Sequence, residues 1–205
     1  MSNRRAEHEL SDPARVFVIS GPSGVGKNTV ADALCSEKRA VRAVTATTRP
    51  PRAGEKDGKD YHFVSDEQFG RWIEEERLLE YTRYVGNFYG TPLASVNRAA
   101  ESGLPVILTI DVDGGLQIKR RWPDVALIFL VPPSEEELRR RLLARGRDDA
   151  GSVQKRLERA REEMEYGDDY DFCVVNDNLK EALEEIARIM AGKCDRDGNL
   201  SQAGR

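Results

Sequence analysis

Nine residues near the start of the chain read Gly21-Pro-Ser-Gly-Val-Gly-Lys-Asn-Thr29, with four residues between the first and last glycine and a lysine next. Glycines let backbone N–H groups converge on phosphate oxygens, and a lysine adds a point charge suited to the outer phosphates of a nucleoside triphosphate. The apolar run at 16–19 reads as a buried strand leading into the loop, and a helical stretch over 29–34 follows it. Strand, loop and helix together are the context this motif requires, and the helix N-terminus adds its dipole. ATP contacts are therefore expected from Gly21, Pro22, Ser23, Gly24, Val25, Gly26, Lys27, Asn28 and Thr29. One position departs from the pattern. Asn28 stands where a Ser or Thr hydroxyl usually ligates Mg²⁺, so it is expected to be a weak or outer-shell metal partner, while Thr29 points elsewhere on the helix.

Other residues suit a second phosphate-bearing ligand. Arg49 and Arg52 can fork onto a phosphate bidentately, and Tyr61 and Tyr89 each combine a hydroxyl with a flat ring. Arg141 and Arg145 lie four apart on one helical face, and Arg156 follows eleven residues later. Asp111 closes an apolar strand, as a carboxylate that holds Mg²⁺ through water would.

The motifs occur in a specific order: the glycine loop, then Thr47-Thr-Arg-Pro-Pro-Arg-Ala-Gly-Glu55, Gly58-Lys-Asp-Tyr61, Leu79-Glu80-Tyr81, Asn87-Phe-Tyr-Gly-Thr91 and Val174-Val-Asn-Asp177. From about residue 16 to 190 the chain resembles the guanylate kinases. The resemblance implies phosphoryl transfer from ATP to GMP or dGMP, with Mg²⁺ as cofactor. It implies that Glu80 accepts the adjacent N1–H and amine donors of guanine, and that Thr45 lies near the guanine oxygen. Thr45, Arg49, Arg52, Tyr61, Glu80, Tyr89, Thr91 and Asp111 would contact GMP, and Asn176 would contact ATP. Lys27, Arg141, Arg145 and Arg156 would be catalytic, the three arginines on a lid with Gly146 and Gly151 as hinges. The family often carries an acid two residues before Asp111; here that residue is Thr109, and Asp113 aligns with a position that is usually not acidic. Two alternatives stay open: a peptide-binding module of guanylate-kinase-like fold, and a related P-loop kinase with another phosphate acceptor.

Continuous apolar runs at 16–19, 41–45, 105–110, 126–131 and 172–175 predict five strands of a parallel sheet. Helical patterns lie between them, so the fold class is α/β, a three-layer P-loop fold. Ser65 and Ser134 begin capping boxes. Ser152 is expected to cap a helix carrying Val153, Leu157, Ala160 and Met164, and Gly192 to close a final helix carrying Leu179, Leu183, Ile186 and Met190. Trp72 and Met164 are expected in the core. One domain of 205 residues is expected. Its core covers about 15–45, 102–138 and 169–191, its GMP-binding insertion 46–101, its lid 139–168 and its flexible tails 1–14 and 192–205.

The net charge of −4 argues against a broad nucleic-acid surface. It leaves room for a local cationic pocket, since Arg139 to Arg147 hold five arginines and no acid. No segment approaches the roughly 20 apolar residues of a membrane span, and residues 1–15 lack the apolar core of a secretory signal. Cys35, Cys173 and Cys194 are far apart and odd in number, and neither His8 nor His62 sits in a metal-ligand pattern. A cytoplasmic protein, monomer or homodimer, without nucleic-acid or membrane partners, is the expectation.

Overall fold

The computed structural model describes residues 9–144 and 150–194. Its first strand, β1 (Val16–Ser20), is buried along its whole length and runs into the glycine loop and then α1 (Lys27–Ser36). Two short strands follow, β2 (Val41–Arg42) and β3 (Ala46–Thr47), then β4 (His62–Phe63), α2 (Asp66–Glu74), β5 (Leu78–Tyr84) and β6 (Asn87–Pro92). The chain continues through α3 (Leu93–Ala100), β7 (Val106–Thr109), α4 (Val112–Arg121), β8 (Ala126–Val131), α5 (Glu135–Ala144), α6 (Ala150–Met164), β9 (Phe172–Val175) and α7 (Leu179–Cys194).

Five strands pair in the order β2-β7-β1-β8-β9, all parallel. Alternate residues of β1 feed opposite faces, and both faces are covered. Val16 and Val18 join Leu108, Ile118 and Leu127 on one side; Phe17 and Ile19 join Leu34, Ile128 and Ile186 on the other. Burial on both faces explains why the central strands β1, β7 and β8 read as unbroken apolar runs rather than alternating ones. The carboxyl ends of β1 and β7 lie side by side, which brings the glycine loop next to Asp111, the usual ligand crevice of an open parallel sheet.

A second sheet, in the order β4-β3-β6-β5, is built within residues 46–92 over its own small core of Ala46, Phe69 and Leu78. Its β5–β6 hairpin closes through Val85 and Gly86, both at positive φ (46° and 82°), between the paired Tyr84 and Asn87. Such a turn follows the twist of the strands, but valine is a strained choice for it.

Several boundaries differ from the sequence expectation. The strand expected over 41–45 is only Val41–Arg42, because the chain must leave the core sheet to enter the second one. Ser152 lies inside α6, which already begins at Ala150, and Gly192 lies inside α7, which continues to Cys194. Of the expected tail, residues 9–14 are held in place. Leu10 is buried in the core, and Asn97 both accepts from Ser11 N at 2.9 Å and donates to Glu9 O at 3.0 Å. Met164, expected in the core, is exposed on the surface of α6, and Trp72 packs at the edge of the second core. Both serine caps form, Gln68 N donating to Ser65 Oγ and Glu137 N to Ser134 Oγ at 3.1 Å each. Among the described residues no helix is long and apolar enough to cross a membrane.

Candidate functional site: a cleft between two sheets

The glycine loop leaves β1 and is braced from beneath. Asn176, just past β9, donates its side-chain amide to Val25 O at 2.7 Å, and its own N–H donates to Val131 O at 2.8 Å. Gly26 has φ 105°, and a Cβ there would lie 2.6 Å from Asn176 Nδ2. Glycine is therefore required twice over, by backbone conformation and by the brace. Lys27 Nζ donates to Gly21 O and Pro22 O, at 2.5 and 3.2 Å, which holds the ammonium in the concave side of the loop. Gly21, Ser23, Lys27 and Asn28 face a cleft of about 1040 Å³. Asn176 is buried below the loop, and Thr29 is exposed on α1.

The second sheet supplies the opposite wall, with Thr45, Arg49, Arg52, Tyr61, Glu80 and Tyr89 all lining the same cleft. Arg49 is held in a two-point ion pair with Glu55, at 2.8 and 2.9 Å, and its guanidinium lies 5.5 Å from the Tyr61 ring centroid. Glu55 also accepts from Arg52 N at 2.6 Å. These bonds to Arg49 and Arg52 hold the Glu55 carboxyl down at about 2. One carboxylate thus aligns the Arg49 guanidinium and anchors the backbone of Arg52 at the cleft. Tyr61 and Tyr89 meet edge to face with centroids 6.3 Å apart, a favoured aromatic geometry.

Glu80 is only 5% exposed. It sits where the β5–β6 register slips between Leu78 and Tyr81, so Leu78, Leu79 and Glu80 are buried in succession. A bulge breaks the in–out alternation of a strand and re-aims one side chain. The carboxylate accepts from Thr91 Oγ1 at 2.6 Å. Burial above all, with Asp111 adding to it against the Thr91 bond, pushes its pKa up to about 7. A Cβ on Gly114 would lie 2.9 Å from Glu80 Oε2 and 3.1 Å from Asp111 Oδ1, so the first turn of α4 admits both carboxylates only because residue 114 has no side chain. Thr91 stands behind Glu80, bonded to it and absent from the cleft lining.

Two of the three predicted lid arginines are placed by α5 and α6, which pack through Leu138, Leu142, Leu157 and Ala160. Arg141 donates to Glu137 Oε1 at 2.7 Å and to Val25 O at 3.3 Å. Arg156 donates to Ser23 Oγ at 2.7 Å and lines the cleft. Arg145 and the expected hinge Gly146 lie outside the described residues; Gly151 falls within α6.

Of the five carboxylates that line the cleft among the described residues, Glu55 and Glu163 are paired with arginines and Glu80 is bonded to Thr91. Asn28, Thr109 and Asp111 line the cleft, and Asp111 Oδ1 already accepts from Gly114 N at 2.8 Å as the cap of α4. Among the described residues no group of three His, Cys, Asp or Glu side chains converges as a metal cage. This donor set fits Mg²⁺ held by one or two protein oxygens plus phosphates and water. Sequence reasoning gave no role to Glu55, although it stands at the end of the quoted Thr47 to Glu55 motif. It also gave none to Lys155, Arg159 and Glu163 of α6, which line the cleft without any motif to signal them.

Comparison with known proteins follows the same outline. The family model described as guanylate kinase matches residues 13–193. The chain is 46% identical over 189 residues to the guanylate kinase of Thermus thermophilus, covering 92% of this chain and 86% of that protein. It is 47% identical over 186 residues to that of Gloeobacter violaceus, covering 90% and 89%. The crystal structure of guanylate kinase from Anaplasma phagocytophilum superposes with a TM-score of 0.70 at 33% identity, over 89% of this chain and 87% of that one. With loop, clamp and buried carboxylate in one cleft, the chain belongs to the guanylate kinase family.

Proposed function

We propose that the cleft binds ATP at the glycine loop and GMP against the second sheet, and that Glu80 selects guanine. The chain is a nucleoside monophosphate kinase that moves the γ-phosphoryl group of ATP to GMP, giving ADP and GDP. The observation that carries the guanine reading is the buried Glu80 carboxylate, aimed into a cleft that also holds Lys27 and the Arg49–Arg52 clamp. Guanine offers two adjacent N–H donors that match the two carboxylate oxygens; adenine would leave the buried carboxylate unpaired, a costly mismatch.

Arg49, aligned by Glu55, and Arg52 neutralise and orient the acceptor phosphate, with the Tyr61 and Tyr89 hydroxyls beside them. The acceptor is already an anion, so no strong general base is required. Lys27 and the loop amides hold the donor phosphates. Arg156 lines the same cleft, bonded to the loop at Ser23, where it would meet negative charge spreading over the transferred group. Mg²⁺ bound mainly to the phosphates, with Asp111 and Asn28 as its protein contacts, would supply further charge neutralisation. Arg141 acts near Val25 of the loop, and Arg145 is assigned with it by its position in the sequence. Three cysteines, odd in number and far apart in the sequence, suit a reducing cytoplasmic setting.

An acceptor screen with ATP and Mg²⁺ tests this reading. ADP should form with GMP and dGMP far faster than with AMP, UMP or CMP. Glu80→Gln should lose most of the discrimination between GMP and AMP in kcat/KM while ATP affinity stays within a few-fold. An unchanged kcat/KM for GMP in that variant sinks the guanine assignment, and equal turnover of a sugar phosphate would favour a different acceptor.

A further inference from the structure

The cleft has a contact across its mouth that the phosphate and guanine contacts do not require. Arg159, in the middle of α6, places its guanidinium 5.6 Å from the ring centroid of Tyr84, the last residue of β5. The arginine is steadied on its own helix, where Nε donates to Glu163 Oε1 at 3.0 Å. Glu163 is well buried, with a side chain 15% exposed. All three residues line the cleft. Tyr84 is 54% exposed, so burial in its own sheet does not fix its ring.

The contact continues inward. Tyr84 meets Tyr89 edge to face at 6.5 Å, Tyr89 meets Tyr61 at 6.3 Å, and Tyr61 lies under the Arg49 guanidinium at 5.5 Å. At the other end, α6 reaches the glycine loop through Arg156 and Ser23, one helical turn before Arg159. One helix therefore touches the donor loop with one arginine and the acceptor-side aromatic row with the next.

We infer that Arg159 is a positioning residue: by stacking on Tyr84 it seats the β5–β6 hairpin, and with it the Tyr89–Tyr61–Arg49 phosphate clamp, against α6. The inference rests on the assignment of GMP phosphate to that clamp. It touches neither the loop nor guanine, so its loss acts on the acceptor and spares ATP. A cation over an aromatic face at an exposed site gives a modest but measurable effect, roughly two- to fivefold in an equilibrium constant.

The test is a double-mutant cycle with three readouts: kcat, KM for GMP, and Kd for ATP measured without GMP. Arg159→Met keeps the stem and removes the charge; Tyr84→Leu removes the ring; Tyr84→Phe keeps the ring and removes the hydroxyl. Arg159→Met and Tyr84→Leu should each raise KM for GMP by roughly two- to fivefold, with ATP Kd unchanged from the parent. Their combination should be no worse than the worse single variant, and Tyr84→Phe should behave as the parent. Additive losses, a Tyr84→Phe defect equal to that of Tyr84→Leu, or a parallel loss of ATP binding would each overturn the inference. Thermal melts of all variants separate a folding defect from a clamp defect. A parent enzyme that turned over another acceptor instead of GMP would point to failure of the underlying assignment rather than of the contact.

Discussion

Glu80 illustrates a conflict between stability and recognition. With its pKa pushed up to about 7 from 4.5, the folded protein keeps a proton on Glu80 that the unfolded chain releases as pH rises through that window. The native state then binds more protons, so this residue's effect on stability worsens from about pH 4.5 upward and levels off above 7, where both states are ionised. A shift of that size corresponds to about 3 kcal/mol of destabilisation at high pH. Glu80→Gln should therefore raise the Tm of the unliganded protein by several degrees at pH 8.5, with the gain shrinking steadily toward pH 4.5. A Tm gain that is the same at both pH values would show that ionisation is not what Glu80 costs. On the proposed guanine role of Glu80, binding needs the ionised form, so KM for GMP in the parent should rise as pH drops below 7, and in Glu80→Gln that dependence should be lost.

The identity of Glu80 was legible from its motif, but its burial was not. Nothing in Leu79-Glu80-Tyr81 announces the register slip that turns a strand residue into the cleft wall, because a bulge is fixed by the partner strand. The glycine loop, by contrast, was fully legible: its geometry depends on glycines and a strand–helix context that lie within one stretch of sequence. So were the strands at 126–131 and 172–175, although only the first owes its continuous apolar run to burial on both faces, the second being an edge strand with Val175 exposed. The two-residue strands β3 and β4 are too short for any periodicity to show. The Arg49–Glu55 pair was hidden for another reason, since a loop rather than a helix or strand sets its approach.

Elements show the same division between local and imposed structure. The β5–β6 hairpin has a strand pattern, yet its turn places a β-branched residue at φ 46°. Holding such a residue in the left-handed region costs on the order of 1–3 kcal/mol, and asparagine or glycine relieves most of it. Val85→Asn creates an Asn-Gly turn of the preferred type and should stabilise the protein by about 1 kcal/mol. That corresponds to a Tm rise of about 2–4 °C for a chain of this length, read by thermal unfolding. A fall in Tm would mean that the Val85 side chain makes a contact worth more than the strain. On the loop between β1 and α1 the opposite holds: Gly26→Ala faces both φ 105° and the Asn176 amide, so it should abolish ATP binding while the rest of the fold survives.

At the scale of the whole molecule, a chain of net charge −4 gathers its cations around one cleft. Lys27, Arg49, Arg52, Lys155, Arg156 and Arg159 all face it, drawn from the loop, the second sheet and α6. Among the described residues, eight Lys and Arg side chains against five carboxylates leave the lining net positive, which favours an anionic ligand. Phosphoryl transfer between two anions needs this arrangement, since the barrier is lowered chiefly by fixed positive charge around the moving group. Arg156 tests whether α6 takes part in that step or only holds ATP. Its guanidinium bonds the loop at Ser23, so a purely structural role would show as weaker ATP binding when it is removed. A role in the transition state predicts a different split: Arg156→Ala should lower kcat by roughly 10²–10³-fold, with ATP Kd changed less than about fivefold. Arg156→Lys, which keeps the charge but loses the fork, should recover only part of kcat. Equal losses in kcat and ATP affinity would place Arg156 in ground-state binding, and the charge that meets the transferring group would then have to come from Lys27, Arg141 and Arg145.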